Sequence, residues 1–189
     1  IAVHPDAPNR VFIGTNNYGV MVSNDGGRSF AQTNVNFSSR FTYFVTPDAS
    51  QPNRFYAATH NTATGGGFFF VSADGGRTWQ QSRGFDVARV RPFVMRQDAT
   101  NPSLMYLGTN VGIYRSIDRG ASWSQLTAAK IPAKPVKKPV AKKPVKKTAS
   151  VVAVAAPVAG AVKLVPAIND KVRVIENTAD GKGLLVGTD

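Results

Sequence analysis

The sequence predicts an all-β fold: a partial β-propeller of about three four-stranded blades plus the start of a fourth, with a long disordered insertion between blades. One eight-residue stretch occurs three times, as Ser23-Asn-Asp-Gly-Gly-Arg-Ser-Phe30, Ser72-Ala-Asp-Gly-Gly-Arg-Thr-Trp79 and Ser116-Ile-Asp-Arg-Gly-Ala-Ser-Trp123. Its aspartates, Asp25, Asp74 and Asp118, stand 49 and 44 residues apart, a period that suits one small four-stranded sheet per copy and is too long for most helical repeats. Composition agrees, since 17 Gly, 12 Pro and Glu176 as the sole glutamate favour strands and turns over helices.

The first unit reads as strands over 1–3, 11–15, 19–22 and 30–33. The second has them over 41–45, 55–59, 68–71 and 79–82, and the third over 91–95, 105–109, 112–115 and 123–126. Pro8, Pro52 and Pro102 precede the second strands, each a short apolar run ending in Thr. A fourth unit starts with strands over 172–175 and 184–188. A radial array does not close on about three and a half blades, so the chain is expected to begin and end inside a longer propeller whose remaining blades come from the parent chain. The expected organisation is three blades over 1–127, an insertion over 128–169 and a truncated blade over 170–189.

Each repeated stretch has the chemistry of a tight hairpin. An Asp carboxylate accepts hydrogen bonds from N–H groups of its own turn, and Gly27, Gly76 and Gly120 permit the positive φ that such a turn needs. Ser29, Thr78 or Ser122 adds a second local hydrogen bond, after which Phe30, Trp79 or Trp123 carries a large ring out of the turn. The pattern S-x-D-x-G-x-[ST]-[WF] is matched by Ser23, Asp25, Gly27, Ser29 and Phe30, by Ser72, Asp74, Gly76, Thr78 and Trp79, and by Ser116, Asp118, Gly120, Ser122 and Trp123. It resembles the Asp-box, or BNR repeat, over about residues 1–127. The resemblance implies a propeller with one box between the third and fourth strands of each blade. It implies little about activity, because the box occurs in sialidases, xyloglucan-hydrolysing enzymes, sortilin-type receptors and photosystem II assembly factors. It favours a secreted, periplasmic or cell-surface location.

The chain of 189 residues carries a net charge of +12, unevenly placed. Residues 1–127 hold eleven Arg and seven Asp, whereas 130–147 is a Lys-Pro-Val run with eight Lys and no acid. Evenly spaced prolines and lysine repulsion predict disorder there, and the Ala/Val-rich stretch over 150–166 predicts a weak strand or collapsed loop. Lys137, Lys138, Lys142, Lys143, Lys146 and Lys147 offer a salt-sensitive, sequence-blind contact to a polyanion, weighed evenly against a solubilising spacer. The absence of Cys excludes disulfides, thiolate metal sites and cysteine nucleophiles. No run of 18 apolar residues exists to span a membrane.

Alternating strand direction puts the boxes and the Pro5-Asp6, Pro47-Asp48 and Asp98 loops on one face. The irregular loops collect on the other: Asn16 to Tyr18, the longer loop of His60 and Asn61 with Gly65-Gly-Gly67, Asn110, and the link carrying Arg83, Asp86, Arg89 and Arg91. Irregular loops on a regular scaffold are where a ligand face belongs, so Asn16, Tyr18, His60, Asn61, Asp86, Arg89, Arg91 and Asn110 are the candidate ligand face. Box aspartates in neighbouring blades are too far apart to share a substrate, so they are read as turn staples. His60 is read as solvent-exposed within its loop, and no catalytic, metal or cofactor site is assigned. The leading function is a non-catalytic scaffold for a protein or glycan. The alternative is a fragment of a propeller glycoside hydrolase resembling the xyloglucan-hydrolysing enzymes, with Asp86 the lone acid candidate on the irregular face where a pair is required. A sialidase is less well supported, because Arg89-Val-Arg-Pro92 only weakly echoes that family's Arg-Ile-Pro strand.

Overall fold

The computed structural model describes residues 1–127, 168–178 and 184–189. The Lys-rich run with its predicted disorder, and the Ala/Val-rich stretch with its predicted weak strand or collapsed loop, lie outside the described residues. The described residues contain no helix long and apolar enough to cross a membrane.

Three four-stranded antiparallel sheets follow one another along the chain. The first comprises β1 (Ala2–His4), β2 (Ala7–Gly14), β3 (Val20–Ser23) and β4 (Ala31–Gln32). β5 (Thr42–Pro47), β6 (Phe55–His60), β7 (Gly67–Ser72) and β8 (Gln80–Gln81) form the second, and β9 (Pro92–Gln97), β10 (Met105–Thr109), β11 (Gly112–Ser116) and β12 (Ser124–Gln125) the third. In each, spatial order equals chain order, the meander of a propeller blade. β13 (Val172–Asn177) pairs with β14 (Leu184–Thr188) in a two-stranded sheet. Against the expected strands, the outer ones shrink to two residues each, and in the second and third blades Trp79 and Trp123 leave the ladder to pack in the interblade cores.

Both faces of a middle blade are covered, so its strands are apolar on both sides despite their period of two. β6 shows this directly. Phe55 and Ala57 join Phe12, Val20, Phe70 and Trp79 in the core between the first and second blades. Tyr56 and Ala58 join Phe69, Met105, Leu107, Tyr114 and Trp123 in the core between the second and third. A smaller core of Ile113, Val172 and Ile175 joins the third blade to β13.

Backbone hydrogen bonds reinforce each junction. The link leaving the first blade runs parallel to the second box through a Val35–Thr78 bridge, and Val35 O accepts the Trp79 N–H at 3.1 Å. Arg83 and Ser122 repeat this one blade on, with Trp123 N–H donating to Arg83 O at 2.9 Å. Gly84 is required there, since a Cβ on it would stand 1.9 Å from Trp123 O.

Candidate functional site

The three boxes share one hydrogen-bond plan. In the second, Ser72 Oγ donates to Asp74 Oδ1 at 2.8 Å and accepts the Gly76 N–H at 2.8 Å. Asp74 Oδ1 accepts the Arg77 and Thr78 N–H groups at 3.0 Å, and Oδ2 accepts Thr78 Oγ1–H at 2.6 Å. Burial opposes charge on Asp74, but the hydroxyl and N–H groups of Thr78 and Ser72 outweigh it and lower its pKa to about 2. Hydrogen bonds from Ser23 and Ser29 hold Asp25 lower still. Asp118 is lowered too, burial being outweighed by the hydroxyl and N–H of Ser122 and by Ser116. Gly27, Gly76 and Gly120 have φ of 90°, 83° and 79°. Trp79 is fully buried, with Nε1 donating to Thr33 O at 2.8 Å. Trp123 is 4% exposed, Phe30 only half-buried. The leading serine, both donor and acceptor within its turn, has a role that reading the stretch as an Asp-Gly hairpin did not supply.

The box face also holds a polar hub that the sequence reading passed over as a regular loop. Asp48, 1% exposed, accepts Tyr56 Oη–H at 2.5 Å, the Ser50 and Gln51 N–H groups at 2.9 and 3.0 Å, and Gln97 Nε2–H at 2.7 Å. Arg119 Nη1 donates to both its oxygens, at 2.8 and 2.7 Å. Burial raises the Asp48 pKa, but these donors prevail and keep it far below the usual carboxylate range. Burial and the Asp48 charge push the Tyr56 phenol up in return. The hub therefore binds the second blade to the third. The available signal was Arg119 itself, which stands where the other boxes have Gly26 and Gly75 and takes the same left-handed conformation, φ 56°.

On the opposite face, Asn16 and Asn61 come together across a groove of about 560 Å³ between the first and second blades, with Asn17, Ser38, Ser39, Arg40, Phe41, Thr62 and Phe68 completing its walls. Ser38, Ser39 and Arg40 belong to a link the sequence reading did not consider. Ser39 has a φ of 65°, and its hydroxyl donates to His60 O. Phe68 is partly buried against the first interblade core and also opens onto this groove. Tyr18 is 56% exposed nearby, its carbonyl accepting Asn34 Nδ2–H at 2.7 Å.

His60 is not the solvent-exposed loop residue expected. It is the last residue of β6, half-buried, with ring centroids 5.6 Å from Phe41 and 5.8 Å from Tyr43. Its Nε2 is buried without a hydrogen-bond partner, and burial, followed by the Arg91 charge, lowers its pKa. The aromatic line continues from Tyr43 to Phe93 at 5.8 Å, and the Arg173 guanidinium lies 4.1 Å from the Phe93 centroid.

The other four candidates gather at the next junction, where their polar groups build the loops. Asn110 accepts the Arg91 N–H at 2.7 Å and donates to Arg89 O at 3.0 Å, and the Arg91 guanidinium donates to Gly65 O at 2.7 Å. Asp86 Oδ1 accepts the Ala88 N–H at 2.9 Å. The candidates thus divide into a groove pair, Asn16 and Asn61, the exposed Tyr18 and half-buried His60, and a structural group around Arg91. Among the described residues no three His, Asp or Glu side chains gather as metal ligands.

Successive four-stranded meanders with a carboxylate-stapled turn between third and fourth strands define a β-propeller. The staple identifies its repeat: residues 70–81, around the second box, match the BNR/Asp-box repeat family. A search of curated proteins finds no match. Among solved structures, an ancestral GH74 enzyme is similar at 26% identity and TM-score 0.58, over 65% of this chain and 17% of the enzyme. The GH74 xyloglucanase from Xanthomonas campestris is similar at 19% identity and TM-score 0.53, over 70% of this chain and 22% of that one. YCF48, solved bound to D1 peptide, aligns at 21% identity and TM-score 0.46, over 62% of this chain and 36% of its own. The chain therefore spans less than a quarter of the two GH74 structures.

Proposed function

We propose that the chain is a non-catalytic Asp-box propeller that serves as a scaffold for a protein or glycan ligand, held on the irregular-loop face. The observation that carries this reading is the composition of the groove between the first and second blades. Three amides (Asn16, Asn17, Asn61), three hydroxyls (Ser38, Ser39, Thr62), the Arg40 guanidinium and the Phe41 and Phe68 rings line it. That set orients a ligand through donors, acceptors and apolar surface. Tyr18 and the His60 ring extend the same face; Asp86, Arg89, Arg91 and Asn110 support it from the next junction. Lys137, Lys138, Lys142, Lys143, Lys146 and Lys147 would add a salt-sensitive polyanion contact, tested by heparin retention with and without residues 130–147.

The likeness to an ancestral GH74 enzyme favours a second reading, a piece of a glycoside hydrolase. Such chemistry needs two facing carboxyl groups about 5–10 Å apart. On the irregular face of the three four-stranded sheets, Asp86 is the one carboxylate among the described residues, so a partner acid would have to come from elsewhere.

One experiment separates the readings. The chain and its Asn16→Ala/Asn61→Ala variant are screened against arrays of oligosaccharides and peptides, with release of reducing sugar from xyloglucan followed in parallel. The scaffold reading expects saturable binding without sugar release, weakened about tenfold or more in the variant, the loss of one or two polar contacts. Sugar release abolished by Asp86→Asn would establish the hydrolase instead.

A further inference from the structure

The groove wall supplied by the link 38–41 is fastened to the last two residues of β6. Thr59 Oγ1 donates to Ser38 O at 3.1 Å, Ser39 Oγ donates to His60 O, and the His60 N–H donates to Phe41 O at 2.8 Å. Ser39 needs that anchorage, because its φ of 65° costs a serine unless the surroundings hold it. The remaining attachment is made by rings. Phe41, which lines the groove, stands edge-on to the rings of His60 and Tyr43, at 5.6 Å from each, and Tyr43 closes the triangle on His60 at 5.8 Å.

Of these three rings, only the imidazole changes charge in mildly acidic water. Its Nε2 is buried without a hydrogen-bond partner. The neutral ring tolerates this by carrying its proton on Nδ1, which leaves a bare lone pair at Nε2. The protonated ring has to place an N–H there with nothing to accept it. Ring faces attract an imidazolium but accept hydrogen bonds weakly, so Phe41 and Tyr43 offset only part of that cost. The surrounding charges do not help. The ionisable groups on the elements beside His60 are Arg40 and Tyr43 on the link and β5, and Asp86, Arg89 and Arg91 on the link before β9, while residues 61–72 carry none. Asp86 is committed to the Ala88 N–H at 2.9 Å. Burial, followed by the repelling Arg91 charge, holds the imidazole pKa below its ordinary 6.5.

We propose that protonation of His60 releases the Phe41 wall, so that the groove is formed at neutral pH and loosened in acid. To bring Nε2 to water the imidazolium has to leave its place against Phe41 and Tyr43. The Phe41 ring then loses the contact that sets its position on the groove. This inference rests on the reading of the irregular-loop face as the ligand surface, and it adds a direction: a ligand taken up at neutral pH is let go in acid.

A pH titration of the full chain followed by nuclear magnetic resonance tests this without a ligand. The chain has two histidines, so the signal lost in the His60→Phe variant is that of His60 and the other belongs to His4. The His60 ring is expected to titrate below 6.5, and the Phe41 ring and the Ser39 and Arg40 amides to move with the same midpoint. That movement should vanish in His60→Phe, which keeps a ring in the contact, and equally in His60→Gln, which keeps a polar one; neither titrates. A His60 midpoint at or above 6.5, link signals that stay still while His60 titrates, or movement that persists in both variants overturns the proposal. The binding screen is decided separately. A wall that titrates with His60 in a chain that captures no ligand supports the device and removes the scaffold reading, whereas captured ligand with a wall that stays still removes the device alone.

Discussion

Arg119 Nη1 lies 2.8 and 2.7 Å from the two carboxylate oxygens of Asp48, joining the third blade to the second through an acid whose side chain is fully buried. Tyr56, Gln97 and two backbone N–H groups fill its remaining hydrogen-bonding capacity, so the ion pair is fully compensated in a poorly solvated place. Replacing Asp48 with Ala leaves the arginine, amide and phenol without their shared acceptor. The expected loss is about 3 kcal/mol, at the lower end for a broken buried pair because Arg119 keeps some contact with water. The midpoint of urea unfolding measures it.

The acid dependence of stability follows from the lowered box aspartates. For Asp74 the folded pKa of about 2 lies below its ordinary value of 3.8, so its staple contributes fully above about pH 4 and loses that contribution as pH falls towards 2. Asp74→Asn should destabilise the chain at pH 6, and the gap from the parent should close between about pH 4 and pH 2. Unfolding midpoints across that range, at fixed ionic strength, check the sign.

The two box tryptophans predict unequal costs for the same change. Trp79 Nε1 donates to Thr33 O, whereas Trp123 Nε1 is buried without a partner. Trp79→Phe removes ring volume and orphans a buried carbonyl. Trp123→Phe removes similar volume but also an unsatisfied donor. Trp79→Phe should therefore cost about 1–2 kcal/mol more than Trp123→Phe in equilibrium unfolding.

Box glycines are also unequal. An added Cβ at Gly76 would stand 2.3 Å from the Phe12 ring, inside the first interblade core, while at Gly27 the nearest atom, on Phe30, is 3.9 Å away. Both take positive φ, so both alanine variants bear backbone strain of about 1 kcal/mol. Gly76→Ala adds a clash that the packed core resists, and its total should exceed Gly27→Ala by about 1–3 kcal/mol, read from thermal or urea unfolding.

The fold was legible because the determinants of each blade are local. Asp25, Asp74 and Asp118 sit in short turns with their own glycine, hydroxyl and aromatic, and the apolar runs beside them need no distant partner to be recognised as strands. The interblade hub was not legible, since Asp6, Asp48 and Asp98 look alike along the chain. Asp48 alone meets an arginine, and that arginine is 71 residues away. The visible mark was Arg119 in place of a glycine, a residue type that tolerates left-handed φ poorly unless its side chain is held. His60 was misplaced because its Asn/Thr/Gly surroundings read as loop, whereas the ladder of β6 extends through it to Gly67. The groove draws four of its nine lining residues from the link running from Ser38 to Phe41, whose sequence has no feature that sets it apart.

Successive blades meet through their box faces at Asp48 and Arg119, and a double-mutant cycle on that pair is the decisive measurement. Unfolding free energies of the parent, Asp48→Asn, Arg119→Gly and the double variant should yield a coupling of about 2 kcal/mol or more at pH 7, fading below about pH 4 as carboxylates protonate. A coupling within about 0.3 kcal/mol of zero, with every variant folded, would mean that the two residues do not meet, and would contradict the blade arrangement described.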